Sequence, residues 1–225
     1  MPMTRASSVE DKREAPMPIP RALITGLVAC LAAAFAAGTS AAPTKKIVPV
    51  TFIGDSVAAS ISYTPQAQTT LSRGLKVRLD LRVCRRLVAA SCAYQGSAPP
   101  TALQSVQSLG QSIGDVLVVY VGYNESAAGY GKGVDQIMRA ALSQGVRSVV
   151  WVTLREQRDT YRWTNIAIRT AAKRWPQLRV AEWDRYSRSE PWFVADGLHM
   201  GATGATELAR FVRSNVLRAA SGQAA

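Results

Sequence analysis

Beyond residue 45 the chain alternates between two kinds of apolar pattern. "KIVPVTFIGDS" opens with a β-branched apolar run that stops at Gly54. A run with no polar face reads as a strand covered on both sides. Residues 57–71 mix apolar and polar positions and predict a helix, interrupted near Pro65. In "LKVRLDLRV", Leu75, Val77, Leu79, Leu81 and Val83 share one face, the period-two signature of a half-buried strand. Residues 84–100 carry the Pro99-Pro100 pair and no period, and predict a loop. "TALQSVQSLG" predicts a helix with Thr101 as N-cap and Gly110 as its stop. "DVLVVYVGYN" is a third strand, apolar as far as Gly122. Val134–Gln144 is an amphipathic helix halted by Gly145, "SVVWVTL" a fourth strand, and Tyr161–Trp175 a helix ended by Pro176. "LRVAEW" is a short fifth strand, and Ala202–Ala220 the last helix. Strands alternating with helices predict a parallel sheet with helices on both faces, in one α/β domain over residues 43–220. The tail, 221–225, is expected to be disordered. "GYGKG" (129–133) lacks the spacing of a phosphate-binding loop, does not directly follow a strand, and reads as a flexible connection.

Composition adds a compartment. The chain has 225 residues, 48% hydrophobic and 19% charged, which suits one packed domain. Residues 1–42 stand apart as an N-terminal extension. Met1–Pro20 is polar, and a possible alternative start at Met17 gives a compact basic segment. Ala22–Ala37 is apolar but falls short of the roughly 20 residues a spanning helix needs. Small residues follow it. The pattern predicts a secretory signal cut around Gly38–Ala42, with an uncleaved membrane anchor as the alternative. Cys30 sits in a lipoprotein-like "LVAC", but the apolar run continues past it, against lipidation. Cys84 and Cys92, eight apart in a chain sent to an oxidising compartment, read as one disulfide. Closing so short a loop stabilises by about 2–3 kcal/mol. Two cysteines and a single histidine cannot make a structural zinc site, so no metal and no cofactor are expected. The net charge of +12 suits a protein that meets anionic wall polymers or lipid head groups outside the cytoplasm. No helix-turn-helix, zinc-finger or aromatic RNA-binding signature accompanies that charge, so nucleic acid is not the expected partner. A monomer without an obligate protein partner is expected.

The chemistry gathers at one rim. In an open parallel sheet, ligands sit outside the carboxyl ends of the strands. The first strand ends in "GDS" (Gly54-Asp55-Ser56) and the third in "GYN" (Gly122-Tyr123-Asn124). The only histidine, His199, follows Asp196 in the loop before the last helix, again on that rim. A serine hydroxyl needs a base to become a nucleophile, and His199 is the one imidazole available. Asp196 can fix its tautomer. The Ser56 N–H and the Asn124 amide can stabilise the tetrahedral oxyanion. Arg155 and Glu156 follow the fourth strand on the same rim. Arg155 and Tyr123 are candidate substrate contacts, and an exposed Arg155–Glu156 ion pair is the plainer reading. Trp163 and Trp192 are further candidates for a pocket wall, or else for packing. Asp55 reads as structural.

These three blocks, G-D-S, G-x-N and D-x-x-H, in this order and spacing, resemble the SGNH (GDSL-type) hydrolases over roughly Val48 to Leu217. The resemblance implies a three-layer flavodoxin-like fold with strand order 2-1-3-4-5. It implies Ser56 as nucleophile, His199 as base and Asp196 as the orienting carboxylate. The family also places an oxyanion-hole glycine after the second strand. Here Cys84 stands at that position, and its N–H could serve, pinned by the Cys84–Cys92 disulfide; Gly96 is the alternative. Glu125 stands where the family usually has Asp. The implied activity is hydrolysis of small acyl esters, linked to a carbohydrate, lipid or cell-wall polymer, through an acyl-enzyme. Acyl transfer to a sugar hydroxyl by the same residues, or a non-catalytic wall- or polyanion-binding module, are the alternatives.

Overall fold

The computed structural model describes residues 47–222. The expected signal segment, Cys30 and most of the expected disordered tail lie outside them. Five strands form one parallel sheet in the order β2-β1-β3-β4-β5: β1 (Val48–Gly54), β2 (Leu75–Leu81), β3 (Val116–Tyr120), β4 (Ser148–Val152) and β5 (Leu178–Ala181). Helices cover both faces. On one side lie α1 (Ser56–Ala59), α2 (Pro65–Ser72) and α7 (Ala202–Ala220); on the other lie α3 (Ala102–Leu109), α4 (Tyr130–Ser143) and α5 (Asp159–Ala172). Alternation along β3 feeds both cores. Val116, Val118 and Tyr120 join Leu208 and Val212 of α7, while Leu117 and Val119 join Ile137 of α4 and Ile168 of α5. This is why the central strands read as unbroken apolar runs: neither face meets water. Edge strand β2 has one strand neighbour and alternates buried and exposed positions over its first half.

Most boundaries follow local chemistry. Pro65 starts α2, where its missing N–H costs nothing. Thr101 caps α3 in a reciprocal capping box with Gln104. Gly110 ends α3 as its C-cap at φ +53, and a 3-10 turn follows to Ile113. Two expectations need correction. The "GYGKG" segment is not a flexible connection: α4 begins at Tyr130 and takes Gly131 and Gly133 into its first turns. Tyr130 is buried and its hydroxyl donates to Val121 O, while a Cβ on Gly133 would meet Leu87 Cδ2 at 2.9 Å. Tertiary packing outweighs the poor helix propensity of glycine here. The last residues of "LRVAEW" are also not strand: Trp183–Ser187 forms the short helix α6, with Trp183 buried among Tyr186, Trp192, Phe193 and Phe211. No helix among the described residues is long and apolar enough to cross a membrane.

Candidate active site

Ser56 sits on the first residue of α1, directly after β1. The turn that presents it needs a glycine at 54, because a Cβ there would lie 2.4 Å from Ala58 Cβ and 2.8 Å from Leu81 Cδ2. Asp55 holds the turn. It is fully buried, caps α1 by accepting from Val57 N at 3.1 Å, and accepts from Gly122 N at 3.1 Å and Tyr123 N at 3.2 Å. It thereby ties the end of β1 to the end of β3. Burial pushes its carboxyl up to about 6, against the pull of the Gly122, Tyr123 and Val57 N–H donors.

His199 and Asp196 lie in a loop closed on itself. Phe193 pairs with Met200 in an antiparallel bridge, Val194 N donates to His199 O at 2.8 Å, and Gly197 N donates to Val194 O at 2.8 Å. Asp196 Oδ1 accepts from Leu198 N at 2.8 Å and His199 N at 2.9 Å. Its Oδ2 lies 2.6 Å from His199 Nδ1. Desolvation works against the charged carboxyl, but the Leu198 N–H, the His199 ring and the His199 N–H together hold it below the ordinary carboxylate range. With Nδ1 donating to this carboxylate, Nε2 is free to accept, and it lies 3.0 Å from Ser56 Oγ. Ser56, His199 and Asp196 thus form one hydrogen-bonded line across 143 residues of sequence. The His199 and Asp196 side chains stay about half exposed, at 45% and 47%, so the line is open to a ligand from solvent.

No protein-family model matches the sequence, and no curated protein matches it. Solved structures match in three dimensions. A carbohydrate acetylesterase family member from Sinorhizobium meliloti superposes with a TM-score of 0.60 at 14% identity, over 78% of this chain and 100% of that one. A psychrotrophic esterase from Pseudoalteromonas sp., in a structure inhibited by monoethylphosphonate, gives a TM-score of 0.59 at 9% identity, over 77% and 98%. The family 3 carbohydrate esterase of Clostridium thermocellum gives 0.51 at 15% identity, over 78% and 99%. The chain has the SGNH hydrolase fold.

Within that SGNH fold, the loop after β2 and the loop after β3 are laced together beside Ser56. Asn124 Nδ2 donates to Arg85 O at 3.2 Å, and Arg86 Nε donates to Asn124 O at 2.7 Å. Glu125 accepts from Leu87 N; burial raises its carboxyl above the ordinary range, opposed by that N–H and by Arg86. Arg85 is fully buried, bonded to Asp80, Pro100 O and Ser105 Oγ. Nothing in the local pattern singled out Arg85 or Arg86, because their partners are remote backbone and side-chain oxygens.

Cys84 and Cys92 form a disulfide. Cys84 has φ +66, a left-handed conformation that favours glycine. The resemblance placed a glycine at this position, so the backbone keeps a glycine's shape without the glycine. Among the described residues, the N–H groups of Ser56 and Cys84 have no hydrogen-bond acceptor. Gly96, the alternative, lies in the tight turn Tyr94–Ser97, beyond the disulfide.

The polar groups of Tyr123 and Arg155 are turned to the protein itself. The Tyr123 hydroxyl meets Tyr120 Oη at 2.9 Å and accepts from Arg155 N at 2.8 Å, and its ring packs edge-on against Tyr120 and Tyr161. The Arg155 guanidinium donates to Gly197 O at 2.5 Å and Arg188 O at 3.4 Å and lies 3.8 Å above the Phe193 ring. It makes no ion pair with Glu156, which faces Arg169 at 3.6 Å. Trp192 stacks on Trp183, and Trp163 is exposed on α5. Among the described residues no group of three or more His, Cys, Asp and Glu side chains is placed to hold a metal ion.

Proposed function

We propose that the chain is a serine esterase of the SGNH type, hydrolysing small acyl esters through an acyl-enzyme on Ser56. The observation that carries the reading is the unbroken line Ser56 Oγ, His199 Nε2, His199 Nδ1, Asp196 Oδ2, with contacts of 3.0 and 2.6 Å. As Ser56 Oγ attacks the ester carbonyl carbon, its proton passes to His199 Nε2 and the carbonyl π pair moves onto oxygen. Asp196 stabilises the imidazolium. The N–H groups of Ser56 and Cys84, together with the second amide hydrogen of Asn124, are the donors for the oxyanion. Collapse breaks the bond to the alcohol oxygen, which takes the proton from His199. Water repeats the sequence and releases the acid. The likeness in fold to solved esterases supports this reading, as does the exposure of the triad to solvent. The alcohol half is taken to belong to a carbohydrate, lipid or wall polymer, met by a monomer. We also infer an extracytoplasmic location: the Cys84–Cys92 disulfide supports it, since disulfides persist in oxidising compartments. Turnover of 4-nitrophenyl acetate is the first test. The wild-type protein is expected to hydrolyse it, and Ser56→Ala to lose at least about 10⁴-fold in kcat. Equal rates in the two proteins would overturn the proposal.

A further inference from the structure

A groove opens on the β2 side of the rim. It measures about 460 Å³ and lies between the two ends of the 82–100 loop and Tyr63 after α1. The backbone ties its walls to the turn that carries the nucleophile: Arg82 N donates to Gly54 O at 3.0 Å, and Tyr63 lies in the turn that follows α1. Tyr63 and Tyr94 both line it, from different segments, and stay 77% and 47% exposed. Most of the molecule's other tyrosines and tryptophans pack ring against ring, whereas these two make no aromatic pair among the described residues.

The wall that carries Tyr94 is stiff. The disulfide closes the loop two residues before it, with Cys92 N donating to Cys84 O at 3.3 Å. Tyr94 then opens a turn to Ser97, closed by hydrogen bonds of 2.8 and 3.2 Å. Gln95 and Gly96 at its tip are both left-handed, at φ +48 and +84. Gln95 takes that conformation against its own Cβ, which a floppy segment would not sustain. Presenting an aromatic ring on a rigid loop lowers the ordering cost of binding to it.

The remaining lining mixes apolar Leu81, Val83 and residues 98–100 with three polar side chains. The Arg82 side chain is 61% exposed although it touches Asp80, and the Gln95 amide and Ser97 hydroxyl join it. A pyranose ring fits this combination. Its C–H faces are apolar and carry slight positive charge, which suits the electron-rich face of a tyrosine. Its equatorial hydroxyls need planar donors and acceptors of the kind a guanidinium and an amide supply. A fatty chain would leave those same groups desolvated and unpaired, at a cost in affinity. We propose that this groove is a sugar subsite, holding the carbohydrate alcohol of an O-acylated saccharide while its ester reaches Ser56. The proposal rests on the esterase reading and names its substrate class.

Two measurements test it. The first compares acetylated xylo-oligosaccharides with 4-nitrophenyl acetate as substrates for Tyr63→Ala and Tyr94→Ala. KM for the oligosaccharides is expected to rise about tenfold in each, with Tyr63→Phe near wild type and nitrophenyl acetate turnover unchanged. The second needs no catalysis: calorimetric titration of Ser56→Ala with unacetylated xylo-, gluco- and chitotetraose. Binding of at least one, lost when Tyr63→Ala and Tyr94→Ala are added, supports the subsite even if no ester is turned over, in which case only the esterase reading fails. Normal nitrophenyl acetate turnover with oligosaccharide kinetics indifferent to both tyrosines overturns the subsite and leaves the esterase standing. Absence of binding across the panel also overturns it.

Discussion

Arg155 Nη1 donates to Gly197 O and Nη2 to Arg188 O, while the guanidinium plane rests on Phe193. Gly197 lies between Asp196 and His199 in sequence, so this side chain braces the loop that carries both. We assign it a positioning role. Arg155→Met keeps the length and the contact with Phe193 but removes the donors. A displacement of the imidazole by about 1 Å can cost about a hundredfold in rate. The expected outcome is a fall of about ten- to a hundredfold in kcat for 4-nitrophenyl acetate with KM nearly unchanged, and partial recovery in Arg155→Lys. A rise in KM alone would return Arg155 to substrate binding. The residue was legible in the sequence as a rim position, but not its partner. A contact between a guanidinium and a carbonyl 42 residues away leaves no local signal. Ser56, Asn124, Asp196 and His199 were legible because each follows a strand or precedes a helix within a short motif.

Among the elements, the loop after β2 departs furthest from what periodicity could show. It has no regular structure, yet Cys84 is fixed at φ +66 and held to Cys92. A left-handed residue with a Cβ costs about 1–2 kcal/mol, which the disulfide and the lacing by Arg85 and Arg86 must offset. This makes a test of whether the backbone shape matters. Cys84→Ala with Cys92→Ala loses the clamp and keeps the penalty; Cys84→Gly with Cys92→Ala loses the clamp and removes the penalty. The glycine pair is expected to show kcat/KM about five- to thirtyfold above the alanine pair. Equal activity in the two would mean that the loop's conformation does not serve the oxyanion. The missed start of α4 and the missed α6 have a related cause. Tyr130, Gly133 and Trp183 take their conformations from what they pack against, and "GYGKG" and "AEW" carry no periodic pattern of their own.

For the whole molecule, strand and helix alternation was readable because each central strand is apolar on both faces, and the helices show their own period. Strand order was not written in those patterns; it came with the resemblance. Strands β1 and β3 are joined at their carboxyl ends by one buried carboxyl, Asp55, raised to about 6. In the unfolded chain it ionises near 3.8. Between these values the folded protein holds a proton that the unfolded chain has released, so this group's contribution to stability falls as pH rises, and levels off above the folded value. The shift corresponds to about 3 kcal/mol. In urea unfolding, the stability difference between wild type and Asp55→Asn is expected to move against wild type by about that amount from about pH 3 to pH 7. A difference independent of pH would mean that Asp55 is ionised in the folded protein at low pH.

The central claim is that Ser56 is a nucleophile activated by His199, and covalent capture reports on it without any assumption about substrate. The protein is incubated with an alkyl fluorophosphonate, and its intact mass and peptide map are recorded. A single adduct on Ser56 is expected in the wild type, none in Ser56→Ala, and greatly slowed labelling in His199→Gln. Absence of an adduct, or labelling that proceeds equally in Ser56→Ala, would contradict the claim.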